Sequence, residues 1–210
     1  GYMTVMTAGG MCFLLSAAAG VPELMYQYQA WQIDPQHNML PVAFGLSVLF
    51  WTGLRIGELL ALTPRDLDLD AGTLSVSKSF QSIDGEEVIT EPKTPKSRRV
   101  VPVPSKLAAE LREYMAALYD VGQDDRLFPF TKHYFRREML KASEAAGVER
   151  IRLHDLRHSH ASLLIHLGCP VLLVSERLGH EDVQTTLRTY GHLYPSTVPE
   201  AVKKLDDLMP

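Results

Sequence analysis

The chain has 210 residues, is 46% hydrophobic and 22% charged, and carries a formal net charge of -4. It is long enough to bury one core of ordinary size, and too rich in apolar residues to be disordered. An acidic total excludes a protein that holds nucleic acid through its overall charge, so any such site must come from local clusters of Lys and Arg. The cysteines are two, Cys12 and Cys169. They make no disulfide framework and point to a reducing compartment. No signal-peptide pattern is evident. The most apolar run, Leu40 to Leu54, is shorter than the ~20 residues a membrane span needs and reads as a buried core helix.

In chain order, residues 1–40 form a lead-in, with a candidate short helix at Met11 to Ala19 and a polar, aromatic excursion from Val21 to Asn38. An apolar helix starts at Pro41 and ends near Gly53, and a second runs from about Arg55 to Ala61. Thr73 to Phe80 and Glu87 to Thr90 are rich in β-branched residues and flank Asp84-Gly85, a strong hairpin signal. With Arg99 to Val103 they predict a small three-stranded antiparallel sheet. The remainder is helical. Leu107, Leu111, Tyr114 and Leu118 recur at helical spacing. So do Phe135, Met139, Ala142 and Ala146, between Thr131 as N-cap and Gly147 as C-cap. Leu153 to Leu167 marks a helix that Gly168 can end, and Val171 to Leu178 one closed by Gly179. Asp182 caps a helix carrying Val183, Leu187 and Tyr190, and Glu200 to Leu208 forms a last amphipathic helix. The predicted class is α+β, mainly helical, with one small sheet.

Five segments carry candidate reactive groups, and singly each has an ordinary explanation. Arg55 stands three residues before Glu58, the spacing of a local helix ion pair. Lys93 is a lysine of the hairpin region, usually solvated. His154 and Arg157 share one side of a helix start. His180 follows a glycine C-cap, where the helix dipole favours histidine. Tyr190 lies in line with Val183 and Leu187, as a core tyrosine would. Together, two arginines, a lysine, two histidines and a tyrosine are what metal-free phosphodiester transesterification requires. A phenol oxygen can form a covalent phosphoester. Arginines clamp non-bridging oxygens with paired donors. A lysine can protonate the departing 5′ oxygen, and histidines can accept the phenol proton or donate to the phosphate.

The blocks TGLRIGELLAL, PKTPKSRRVVPVP, HDLRHSHAS, LGHEDVQTTLRTY and YGHLYP resemble, in order, the signature blocks of the tyrosine recombinase (phage integrase) family. The likeness spans residues 40 to 195 and is nearest to integrases of conjugative transposons and temperate phages. It implies the tyrosine-recombinase catalytic fold and strand cleavage through a 3′-phosphotyrosyl intermediate, with no metal, ATP or other cofactor. Arg55 and Arg157 would clamp the phosphate. Lys93 would act as general acid, His154 would assist removal of the Tyr190 proton, and His180 would bond the scissile phosphate. Glu58 would orient its neighbours. Lys96 is the alternative to Lys93, and Tyr194 the alternative to Tyr190.

Lys96, Arg98 and Arg99, with Lys132, Arg136, Arg137 and Lys141 on one predicted helix, are either a solvated face or, under this resemblance, DNA contacts. The implied partners are double-stranded DNA, further protomers in a synaptic tetramer and accessory DNA-bending proteins, with no membrane. The implied setting is the cytoplasm, at the bacterial nucleoid. Residues 41–195 would form the catalytic domain and 196–210 a tail helix packing in cis or in trans. Upstream core-binding and arm-binding domains are not recognisable, which predicts weak DNA binding by this piece alone. Two rivals remain: a degenerate DNA-binding module of the same fold, and a metal-dependent phosphohydrolase built on His154, Asp155, His158 and His160. A type IB topoisomerase would use similar chemistry with different local wording.

Overall fold

A computed structural model describes residues 40–83, 86–91, 95–118, 120–194, 202–203 and 205–209. The expectations for Met11 to Ala19, Val21 to Asn38, the Asp84-Gly85 turn and Lys93 lie outside the described residues. Helix α1, Leu40–Thr52, is apolar all round. Val42, Phe44, Leu46, Val48, Leu49 and Phe50 are all buried. A helix of that kind belongs in the middle of a domain. Around α1 pack α2 (Ile56–Leu60), α3 (Ser105–Ala117), α4 (Lys132–Ala146) and α5 (Leu153–His166). Two short helices follow, α6 (Val171–Leu178) and α7 (Val183–Tyr190). No helix among the described residues is long and apolar enough to cross a membrane.

Helix ends follow the capping residues in the sequence. Thr131 accepts a hydrogen bond from the Tyr134 amide, and Gly147 closes α4 in the left-handed conformation. Gly179 closes α6 the same way, and the Asp182 carboxylate accepts from the Gln184 amide at the start of α7. Each cap satisfies backbone groups the helix leaves unpaired.

The sheet differs from expectation in its membership. A three-stranded antiparallel sheet is present, in the order β1 (Leu67–Asp68), β2 (Thr73–Val76), β5 (Arg99–Pro102). The hairpin β3 (Ser79–Ile83) and β4 (Glu86–Thr90) stands as a separate two-stranded ribbon. The run 73–80 therefore is not one strand. It breaks at Ser77-Lys78, where Lys78 turns to Asp66 with a 2.8 Å ion pair. The first half of the run then pairs with β5 (Val76 opposite Arg99) and the second half with β4 (Phe80 opposite Ile89).

The main core gathers α1 to α4, β2 and β5, with Phe128 and Phe135 fully buried. Tyr114 stacks on Phe128 and donates its hydroxyl to the Leu127 carbonyl at 2.9 Å. A smaller cluster of Ala161, Ile165, Val174, Leu178 and Tyr190 joins α5, α6 and α7. That second cluster supports the candidate site.

Candidate active site

The site is built on the C-terminal end of α6. Helix ends leave carbonyls unpaired and carry partial negative charge, so they attract cations. Three consecutive carbonyls here each meet a different arginine. Arg177 O accepts from Arg99 Nε at 2.9 Å, Leu178 O from Arg157 Nη2 at 2.6 Å, and Gly179 O faces Arg55 Nη2 at a longer 3.5 Å.

Arg157, in the first turns of α5, is only 2% exposed. Its second arm donates to the Gly53 carbonyl at 2.7 Å. Gly53 has φ +70, and a Cβ there would lie 2.6 Å from His160 Cδ2. A residue without a side chain is thus required where α1 ends and its carbonyl turns to Arg157. Burial, then the charge of Arg55, pulls the Arg157 pKa down to about 9, with Glu58 opposing. The guanidinium stays charged at neutral pH.

Arg55 precedes α2, and Glu58 folds back to it. One Glu58 oxygen accepts from the Arg55 amide and the other from Arg55 Nη1, both at 2.9 Å. Glu58 is buried beside Arg99, which binds both of its oxygens at 2.9 and 3.1 Å. Burial opposes ionisation of Glu58, but the hydrogen bonds and charge of Arg99 and Arg55 outweigh it and hold the carboxyl below its usual range.

His180 leaves the α6 cap with its amide on Ser175 O at 3.0 Å. Its Nδ1 lies 2.8 Å from the hydroxyl of Thr186, a fully buried residue of α7. Burial first, then Arg157, Arg55 and Arg99, lower the His180 pKa to about 4. A neutral ring that accepts the Thr186 hydroxyl at Nδ1 carries its proton on Nε2, the form able to donate to a phosphate oxygen.

Tyr190 ends α7 and is 5% exposed. Its hydroxyl lies 2.6 Å from Nδ1 of His158 on α5. Burial raises the phenol above its ordinary pKa, with Arg157 opposing, and burial also lowers His158 below its own. Phenol and imidazole are therefore both neutral at neutral pH, and in the tautomer that leaves Nδ1 unprotonated the phenol donates to the ring. His154 packs edge-on against His158, ring centroids 4.6 Å apart.

The structure thus brings Arg55, Arg157, His180 and Tyr190 around one helix end, with Glu58 beneath. Several expectations change in detail. The histidine on the Tyr190 hydroxyl is His158, one turn beyond His154, whose side of α5 it shares. The face holding Tyr190 inward runs through Thr186, with Val183 half-buried and Leu187, expected on it, turned outward. Thr186 is fully buried, whereas Leu187 is 39% exposed. Arg99 does not lie on the surface as a DNA contact would; its side chain is 7% exposed and paired with Glu58. Lys96 is exposed and donates to the Glu181 carbonyl at 2.7 Å, and Arg98 pairs with Glu91 at 2.8 Å. Lys132, Arg136, Arg137 and Lys141 are exposed on α4, but Arg137 and Lys141 both pair with the buried Glu138. Tyr194 packs on the smaller cluster with its hydroxyl buried and without a hydrogen-bond partner among the described residues. Among those residues no group of three His, Cys, Asp or Glu is placed to hold a metal.

Comparison with known proteins gives concordant matches. The profile of the phage integrase family matches residues 21–197. The ICEBs1 integrase of Bacillus subtilis is 39% identical over 188 residues, covering 83% of this chain and 51% of that protein. The Tn1549 transposon integrase, solved in complex with circular intermediate DNA, aligns with TM-score 0.68 and 20% identity over 90% of this chain and 66% of that one. The catalytic domain of bacteriophage HP1 integrase aligns with TM-score 0.52 and 25% identity over 77% of this chain and 80% of that domain. The chain spans about half the length of the curated relatives it matches.

Proposed function

The chain belongs to the phage integrase family, and from that premise we propose that it cuts and rejoins DNA strands site-specifically through a covalent bond to Tyr190. The observation that carries the proposal is a buried tyrosine hydroxyl 2.6 Å from a histidine ring nitrogen, on the helix following the His180 turn. Three arginines, Arg55, Arg99 and Arg157, donate to carbonyls of that same turn.

In the proposed reaction the Tyr190 oxygen attacks the scissile phosphorus. The bond to the 5′ oxygen breaks, leaving a 3′-phosphotyrosyl link. His158 takes the phenol proton, and Lys93 supplies one to the 5′ oxygen. Arg55 and Arg157 bind the non-bridging oxygens, where planar paired donors suit the extra negative charge, and His180 donates from Nε2. One phosphodiester is exchanged for another, so no metal or nucleotide is consumed. Resealing is the reverse, with a second 5′ hydroxyl. Residues 41–195 would act as the catalytic unit and 196–210 as a tail packed in cis or on a neighbour. Duplex DNA would lie over Lys96, Arg98 and the exposed basic face of α4, with other protomers completing strand exchange and bending proteins assisting. The biological outcome would be integration or excision of a mobile element at the nucleoid, in the cytoplasm.

Random duplexes selected for covalent capture by the wild-type chain would supply a site for a nicked suicide substrate. The expected adduct resists denaturant, forms in EDTA, disappears in Tyr190→Phe and persists in Tyr194→Phe. An adduct that survives Tyr190→Phe, or requires a divalent metal, would overturn the proposal.

A further inference from the structure

We propose that Arg99 is a positioning residue of this site, fixing both the first phosphate-clamping arginine and the turn that carries His180. The inference rests on the strand-cutting reading above. Arg99 is the first residue of β5 and pairs with Val76 in the sheet, so its backbone is anchored. Its side chain reaches inward in two directions. One edge grips both oxygens of Glu58, which itself holds the Arg55 amide and guanidinium. The other edge donates from Nε to the Arg177 carbonyl at 2.9 Å. A further bond from Nη1 to the Ser97 carbonyl, at 3.1 Å, ties it to the short turn before its strand.

The guanidinium also lies close against the α6 cap. A Cβ at Gly179 would stand 2.9 Å from Arg99 Nη1 and 3.2 Å from Cζ. Gly179 therefore serves twice: it adopts φ +66, and it leaves room for this arginine. One buried side chain in this way spaces Glu58, and so Arg55, from the residue before His180. A shorter or unbranched cation cannot do both. Lysine offers a point charge with no rigid fork, so it can satisfy Glu58 or the Arg177 carbonyl but not hold the distance between them. A side chain this buried has no surface to offer a DNA phosphate, so its effect must fall on the reacting groups and not on binding.

The experiment uses the full chain and the suicide duplex obtained by covalent capture. Failure of the wild type to capture any DNA would refute the strand-cutting reading alone, so the two failures separate. Adduct formation at saturating DNA, the Kd for the duplex and its salt dependence are measured for Arg99→Met, Arg99→Lys, Glu58→Gln and the Glu58→Gln/Arg99→Met double variant. Arg99→Met should slow adduct formation on the order of 10²-fold, the effect of misplacing groups by about 1 Å. Arg99→Lys should slow it roughly 10-fold. Kd should stay within about 3-fold and the salt slope unchanged, since no phosphate contact is lost. The double variant should lose at least about 3-fold less than the product of the single losses, because both act through one contact. Three results would overturn the proposal: a saturated rate within about 3-fold of wild type in Arg99→Lys and Arg99→Met; a weakened Kd with the salt slope reduced by about 1; or losses that multiply. Where Arg99→Met does not fold, judged by circular dichroism, Arg99→Lys is decided on the same rate and Kd criteria.

Discussion

Replacing His158 by Asn tests the reaction at its first proton transfer. Asn places an amide near the position of Nδ1, so the Tyr190 hydroxyl keeps a polar neighbour, but an amide cannot take up a proton. Burial raises the phenol above its ordinary pKa and lowers His158 below its own, so ionising the phenol onto the imidazole before attack is unfavourable. Transfer must accompany formation of the oxygen–phosphorus bond, and a positioned base typically contributes 10²–10⁴-fold to such a step. Single-turnover adduct formation on the suicide duplex should therefore slow about 10²–10⁴-fold in His158→Asn. The pH profile carries the sign. His158 accepts only when neutral, so the wild-type rate should fall as pH drops through its pKa, below 6.5. That acid limb should be absent from the variant. A His158→Asn rate within about 3-fold of wild type, or an unchanged acid limb, would refute the assignment.

Three other outcomes are expected. Thr186→Val keeps the shape of a fully buried residue while freeing His180 Nδ1, so the ring loses its fixed tautomer. Adduct formation should slow roughly 10-fold or more, with stability to urea within about 1 kcal/mol of wild type. Gly53→Ala combines φ +70 with a Cβ 2.6 Å from His160, and should lower stability by at least about 2 kcal/mol in denaturant titration. His160 has its pKa lowered to about 3, by burial first and by Arg177 next. Below pH 6.5 the unfolded chain binds this proton and the folded chain does not, so the contribution is full above 6.5 and is lost progressively toward pH 3. Between pH 6.5 and 5 that loss amounts to about 2 kcal/mol. Urea melts of His160→Gln, which retains an acceptor for Arg177, should show a correspondingly shallower loss over that interval; an identical pH slope would refute the linkage.

The order of the helices and most of their ends were legible because caps and glycines act locally. Thr131, Gly147, Gly179 and Asp182 each do what their residue types predict. The apolar run at α1 was legible for the opposite reason, since only a central position suits a helix with no polar face. The sheet was misread where a tertiary contact overrides a local pattern: Ser77-Lys78 lies inside a β-branched run, and the break accompanies the pairing of Lys78 with Asp66. The buried face of α7 was misread by hydrophobicity. Leu187 ranks as a core residue, yet it is Thr186 that lies inward, where its hydroxyl meets His180. Arg99 looked like one more member of a basic cluster, because sequence does not reveal that its partner Glu58 stands buried 41 residues earlier. His158 had a usable signal, four residues from His154 and hence on the same helix face, but only the position of Tyr190 distinguishes the two rings.

The arginines gathered at the end of α6 have a consequence for the binding of small anions. Among the described residues, Glu58 is the carboxylate paired with Arg55 and Arg99, while Arg157 is held by neutral peptide oxygens. The fixed positive charge of these arginines exceeds what Glu58 cancels, and the partial negative charge of the carbonyls offsets part of the remainder. An incoming oxyanion would have no resident carboxylate to displace from Arg157, only backbone oxygens that water can resatisfy. Sulfate or phosphate at low ionic strength should therefore raise the melting temperature and compete with DNA, whereas chloride at equal ionic strength should do so far less.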